Sequence, residues 1–200
     1  MKSDYIVIPE KGRAAVASEV VSLDGLLPNE AVLRAEATMI SAGTELSRVF
    51  AIKQGFTYPV RPGYCAVGRV LAKGSALTDI DVGGRVFYSG PHASVCRLYR
   101  GERTQEPMLF PLPADIDPQA AALITLGLVA MSGVNATQVK LGDTLAVFGL
   151  GAIGLIAARS TKNAARGSSA SIPCPVAARS RGSSALSRRS TVRRRSRSRR

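Results

Sequence analysis

Beyond Asp143 this 200-residue chain contains no acidic residue, and from Arg159 onward it contains no aromatic one. Arg159 to Arg200 nevertheless carries 13 of the 27 lysines and arginines, so the formal charge of +13 belongs to this tail and residues 1–158 are formally neutral. A stretch of Arg, Ser, Ala, Gly and Pro buries too little apolar surface to offset its ordering entropy, and residues 161–200 are expected to be a disordered, basic Arg/Ser-rich tail. Cysteine is scarce as well. Cys65, Cys96 and Cys174 show neither CxxC nor paired spacing, which points to a reducing, cytoplasmic setting. Long apolar runs are missing: the longest ends at Ala158 and is too short and glycine-rich for a membrane span of about 20 residues. Asp4 and Glu10 bracket the first hydrophobic run, so the N-terminus does not read as a signal region.

What the chain does have is concentrated in Thr144 to Ala158, TLAVFGLGAIGLIAA. A buried-strand pattern, Leu145 to Phe148, runs directly into Gly149-Leu150-Gly151-Ala152-Ile153-Gly154 and then into the apolar face of a helix. In a dinucleotide site each glycine has a separate task. Gly149 allows the tight turn, Gly151 lets a pyrophosphate approach the backbone, and Gly154 lets helix and strand pack closely. The pyrophosphate would then rest on unpaired amides around Ala152, Ile153 and Gly154, where the helix dipole favours anions.

The preceding residues read as a β-rich module. Asp4 to Pro9, Ala14 to Ser22, Glu30 to Ser41, Pro59 to Leu71 and Gly84 to Tyr99 form short segments punctuated by Gly and Pro, with one helical turn at Leu46 to Ile52. Such spacing predicts a compact barrel or sandwich. Asp117 is placed to cap a helix with Pro118 in its first turn, and Gln119 to Met131 extends it with apolar residues on most faces, as a buried helix would. Lys140 to Asp143 then turns the chain into the strand at Thr144.

In order and in local motif the chain resembles the medium-chain dehydrogenase/reductase superfamily, the zinc-type alcohol dehydrogenases and their zinc-free relatives. Three pieces carry the resemblance: Ser41-Ala42-Gly43-Thr44-Glu45; Pro62 to Val70 together with Gly84 to Phe87; and Gly142 to Gly154. The resemblance implies a β-rich GroES-like barrel with its connecting helix over residues 1–135. The start of an α/β Rossmann NAD(P)-binding domain would follow over 136–160, with hydride transfer to or from NAD or NADP in the cleft between them. The departures are chemical. Where zinc-dependent members place Cys, His and a third ligand, this chain has Ala42, Tyr64 and, by spacing, Thr125. Ala offers no donor and Tyr and Thr are poor ones, so no catalytic metal is expected. The pattern is most similar to zinc-free bacterial members, including the group around bacteriochlorophyllide a dehydrogenase. A carbonyl would then be polarised by hydrogen-bond donors: Thr44 matches the family's proton-relaying hydroxyl, and Tyr64 is the second catalytic candidate. His92, the only histidine, is expected to bond to loop backbone, and Cys65 and Cys96 to lie in the core.

The implied partners are a small-molecule substrate and, as an open alternative, a second copy of the chain; no membrane partner is expected. After Arg159 the Rossmann pattern stops, with no second strand and no acidic residue to hold a ribose. Either the reading frame is lost near Arg159, the favoured account, or Ser187 to Arg200 is an arm that meets nucleic-acid phosphates. A βαβ unit takes about 30 residues, and only 15 of the 57 residues from Thr144 onward are family-like. The chain is therefore expected to be an inactive fragment of an oxidoreductase, with a nucleic-acid-binding protein as the alternative. Removing Lys162 to Arg200 is expected to abolish polynucleotide binding, measured against salt concentration. Sequence-specific binding that survives the removal contradicts a purely electrostatic tail.

Overall fold

The computed structural model describes residues 1–52, 57–101, 108–140 and 145–164. Two sheets form the N-terminal module. β1 (Lys2–Glu10) and β2 (Arg13–Val20) make an antiparallel hairpin. A five-stranded antiparallel sheet has the order β6-β3-β4-β5-β7, from β3 (Glu30–Thr38), β4 (Ala66–Lys73), β5 (Arg85–Tyr88), β6 (Val95–Tyr99) and β7 (Leu109–Pro111). Single bridges at Tyr5–Ala93 and Ile8–Val60 tie the hairpin to the rest. The β-rich expectation thus holds, although Pro59 to Cys65 runs as an irregular approach to β4 and the Gly84 to Tyr99 segment divides into β5 and β6.

The two-residue period of a strand explains how the core divides. On β5, Val86 and Tyr88 face one cluster with Leu33, Val70, Leu77 and Ile80, while Phe87 between them faces another with Cys65 and Val67. Phe87 stacks on Phe110 of β7 at 5.1 Å between ring centroids. The second cluster is covered by Ala121 and Ala122, so the small side chains of the following helix are what allow it to lie against the sheet. Cys65 and Cys96 are buried free thiols, as expected. Burial pushes both up, Cys96 to about 12, which keeps them protonated and inert.

The helical region differs from expectation in three ways. Asp117 does cap the chain after it: its carboxylate accepts the Ala120 N–H at 2.9 Å, with Pro118 in the first turn. The single helix expected to reach Met131, however, is two: α2 (Pro118–Ala121) and α3 (Ile124–Ala136), following α1 (Ala42–Val49) in chain order. A run of uniformly apolar residues gives no sign of where a helix breaks. Nor is α3 buried all round, since Leu128 and Val129 are each about half exposed. Finally, Leu145 to Phe148 is not a strand. It runs without ladder partners and Phe148 is 91% exposed. A β-strand exists through its neighbour's hydrogen bonds, and none of the described residues supplies that neighbour. α4 (Ala152–Ala164) packs against α3 and extends four residues into the stretch assigned to the tail. The turn at Gly142-Asp143, Cys174 and the Arg/Ser tail beyond Ala164 lie outside the described residues. Among the described residues no helix is long and apolar enough to cross a membrane.

One ionic cluster fastens the module to its helices. Glu36 on β3 takes Arg69 at 2.8 Å and Arg85 at 2.6 Å, and Arg85 also donates to the carbonyls of Ala114 and Ile116 ahead of α2. The Arg85 hydrogen bond, with help from Arg69, holds the Glu36 carboxyl below its ordinary value. A depressed carboxylate stabilises the fold above the unfolded value, 4.5, and that stability is lost as pH falls through the lowered folded one. Glu36→Gln is therefore expected to cost about 1 kcal/mol near neutral pH, discounted for partial solvent exposure. Denaturation curves should show the gap to the unsubstituted chain closing as pH drops below 4.5; a pH-independent gap contradicts the assignment.

Candidate functional site

The glycine-rich turn opens a helix. Gly149 has φ +87°, a conformation that side-chain-bearing residues rarely adopt. Gly154 is held even more tightly: a Cβ built there lies 1.9 Å from the Gly149 carbonyl oxygen, so the first turn of α4 rests directly on the bend. Gly151 is different, because a Cβ there meets nothing within 4 Å. One glycine is required by the turn, one by packing, and the middle one keeps a space open. The first α4 hydrogen bond outside the helix interior runs from Leu155 N–H to Gly151 C=O at 2.9 Å, which leaves the amides of Ala152, Ile153 and Gly154 without intrahelical acceptors. No acidic residue sits in that first turn, so the positive end of the helix is not neutralised from within.

This turn borders a cavity of about 680 Å³. One wall is Leu145 to Gly149 and Gly151 to Gly154, a second is α3 from Leu126 to Val134, and the third is Met39 to Ala42 at the head of α1. The β-rich module and the α/β segment therefore meet at the glycine bend. Leu126, Val129, Leu145 and Phe148 make the interior largely apolar, with backbone amides, Ser41 and Thr137 as polar points, a pattern common to cofactor pockets.

Neither catalytic candidate is in the lining of this cavity. Thr44 is exposed on α1, with the Ser41 hydroxyl 3.4 Å from its Oγ1. Tyr64 is half-buried against the Cys65, Val67 and Phe87 cluster. Two hydroxyl-bearing residues do line the cavity, Ser41 and Thr137, and the Thr137 hydroxyl donates to the Val134 carbonyl at 2.7 Å. His92 also departs from expectation. Its backbone N–H donates to Pro62 C=O at 2.9 Å, but its ring Nε2 meets the Glu45 carboxylate at 3.0 Å, and both side chains are buried. The sequence contained a signal for Glu45 that periodicity overlooks: it stands four residues after Ser41 and accepts that residue's N–H at 3.0 Å, in the manner of a helix-start cap.

No protein-family model matches the chain. It is 25% identical over 161 residues to an alcohol dehydrogenase, notN, of Aspergillus sp. (strain MF297-2), covering 68% of this chain and 47% of that one. It is 30% identical over 129 residues to (R,R)-butanediol dehydrogenase of Bacillus subtilis (strain 168), covering 54% and 37%. Among solved structures it superposes with a TM-score of 0.69 on CAD from Helicobacter pylori complexed with NADP(H), at 13% identity, covering 86% of this chain and 58% of that one. In sequence and in fold the chain resembles the medium-chain dehydrogenase/reductase superfamily. Its fold is the GroES-like module followed by part of the Rossmann domain, and it spans less than half the length of these two sequence relatives.

In the superfamily's zinc-dependent members the ligands would fall at Ala42, Tyr64 and Thr125. Among the described residues no group of three or more His, Cys, Asp or Glu side chains is placed to hold a metal ion. An aliphatic side chain and two hydroxyls do not fit a zinc that is held by thiolate, imidazole or carboxylate donors. Thr125 Oγ1 is buried without a hydrogen-bond partner, beside the Cys65 thiol.

Gly154 and Gly151 give a clean contrast. Gly154→Ala is expected to destabilise the chain by about 1–3 kcal/mol through the backbone clash, whereas Gly151→Ala should leave stability nearly unchanged. Urea denaturation followed by circular dichroism checks both, and equal effects contradict the contact geometry.

Proposed function

We propose that this chain is part of a zinc-independent, NAD(P)-dependent oxidoreductase that exchanges hydride with a carbonyl/alcohol pair or an activated alkene. The observation that carries the reading is the cavity in which unpaired helix amides and an open Gly151 face the head of α1. Ala152, Ile153 and Gly154 would hold the pyrophosphate of NAD or NADP through their N–H groups, with Gly149 shaping the bend. A bound nicotinamide supplies or accepts the hydride. The protein's part is to exclude water with the apolar walls, to orient the substrate, and to move the accompanying proton. In reduction the substrate carbon receives the hydride's electron pair and its oxygen, or the α-carbon of an alkene, receives the proton; oxidation reverses both transfers. Thr44 is the proposed proton relay and Tyr64 the second donor, polarising the carbonyl in place of a Lewis acid. The likeness to notN and to (R,R)-butanediol dehydrogenase, named for alcohol substrates, supports this class of reaction.

Residues 1–135 would form the catalytic module and 136–160 the dinucleotide segment, in a cytoplasmic protein acting on a small molecule. The 200-residue chain itself is proposed to bind without turning over, because a nucleotide-binding half needs more than one βαβ unit.

Saturation-transfer NMR with NADP+ tests the site. Gly151→Val adds side-chain bulk where the structure has open space, so the fold should persist while NADP+ binding falls at least tenfold. Absence of binding by the unsubstituted chain, or binding unaffected by Gly151→Val, overturns the site. In a separate assay, steady NADPH oxidation by the chain overturns its proposed inactivity.

A further inference from the structure

We infer that the buried Glu45–His92 pair is a positioning device that fixes Ser41 at the wall of the cavity opposite the glycine bend, and through it the neighbouring Thr44 hydroxyl. This rests on the dinucleotide reading above and adds residues to it that the zinc-ligand positions do not include.

The chain of restraints can be followed atom by atom. His92 is held from three directions. Its carbonyl accepts Ile6 N–H of β1 at 2.9 Å, its own N–H donates to Pro62 C=O at 2.9 Å, and Gly63 lies so close that a Cβ built there is 2.6 Å from the His92 nitrogen. With φ +119°, Gly63 takes a conformation that side-chain-bearing residues rarely adopt, so the close approach is encoded by that glycine. The imidazole, in a residue only 5% exposed, then presents Nε2 to Glu45 Oε1 at 3.0 Å. The same oxygen accepts Ser41 N–H at 3.0 Å. Ser41 in turn lines the cavity and holds its hydroxyl 3.4 Å from that of Thr44. A rigid β-module anchor is thereby connected through two buried polar side chains to the lip of the cavity.

The arrangement also fixes a tautomer. His92 Nδ1 is buried with no hydrogen-bond partner. A proton there would be a buried, unsatisfied donor, so the neutral ring carries its proton on Nε2 and donates it to the carboxylate. A buried pair of this kind is weak evidence for stability, because desolvation offsets much of the attraction. What it secures is geometry: one carboxylate oxygen receiving two donors cannot shift without losing both. The wall it fixes faces α4 across the cavity. On the dinucleotide reading, the nicotinamide would be the end that reaches towards Ser41, where a proton donor is within reach.

Because His92 is the only histidine, long-range 1H–15N NMR of the full chain reads its ring without ambiguity. The expected result is the Nε2–H tautomer, with a downfield Ser41 amide that moves upfield in Glu45→Gln. The functional arm compares affinity for NADPH with affinity for 2′-phospho-ADP-ribose, which lacks nicotinamide. Glu45→Gln and His92→Leu should weaken NADPH binding about five- to tenfold and leave the shorter ligand unaffected. His92→Gln, whose amide nitrogen can stand where Nε2 stood, should recover most of the loss. A merely structural role would lower the melting temperature while leaving the ratio of the two affinities alone, and that outcome overturns the proposal, as does an Nδ1–H tautomer. If the unsubstituted chain binds neither ligand, the dinucleotide reading falls and the positioning role falls with it. If it binds both and the ratio does not respond to substitution, the positioning role alone falls.

Discussion

The contact on which the site depends is between two pieces of backbone. The first turn of α4 lies against the carbonyl of Gly149 so closely that any side chain at Gly154 would occupy the oxygen's place. That contact brings the helix start up to the bend, and the bend is possible because Gly149 tolerates a positive φ. With helix and bend locked together, the first turn of α4, whose amides have no intrahelical acceptors, lines one side of the cavity. Everything proposed for the cofactor follows from that alignment of unpaired donors and helix dipole.

The β-rich module contributes the opposite wall by a different kind of constraint. Its strands alternate side chains between two clusters, and the cluster around Cys65, Val67 and Phe87 is the one capped by small residues of α2. The sheet thereby sets where α2 and α3 lie. At the other end of β3, the chain passes from Thr38 through Met39 to Ser41 and directly into α1. The head of α1 is consequently carried by an interior strand of the sheet, paired on both sides, and Glu45 and His92 fasten it further.

Much of this was legible in the sequence, for identifiable reasons. Asp117 and Pro118 announced a helix start because capping and a missing N–H are local chemistry. Gly149 announced a turn and Gly154 a close packing, and the positive φ of the one and the backbone contact of the other match those requirements. What periodicity could not supply was anything set by a distant partner. Leu145 to Phe148 has the composition of a buried strand, yet strand character requires a neighbour, and none of the described residues pairs with it. The break between α2 and α3 fell within an apolar run that favours no particular residue for it. The partner of the His92 ring is a carboxylate 47 positions away in the chain, a separation no local pattern spans. Thr44 and Tyr64 were chosen by correspondence with a motif. The cavity instead gathers Ser41, the first residue of the same motif as Thr44.

The central claim is that the amides at the start of α4 receive a pyrophosphate. Backbone 1H–15N spectra of the chain titrated with NADP+, with the 31P resonances of the ligand followed in the same samples, test it most directly. The account predicts saturable shifts of the Ala152, Ile153 and Gly154 amides that track a shift of the pyrophosphate phosphorus signals. Ligand binding that leaves these three amides unmoved while perturbing residues elsewhere would contradict it.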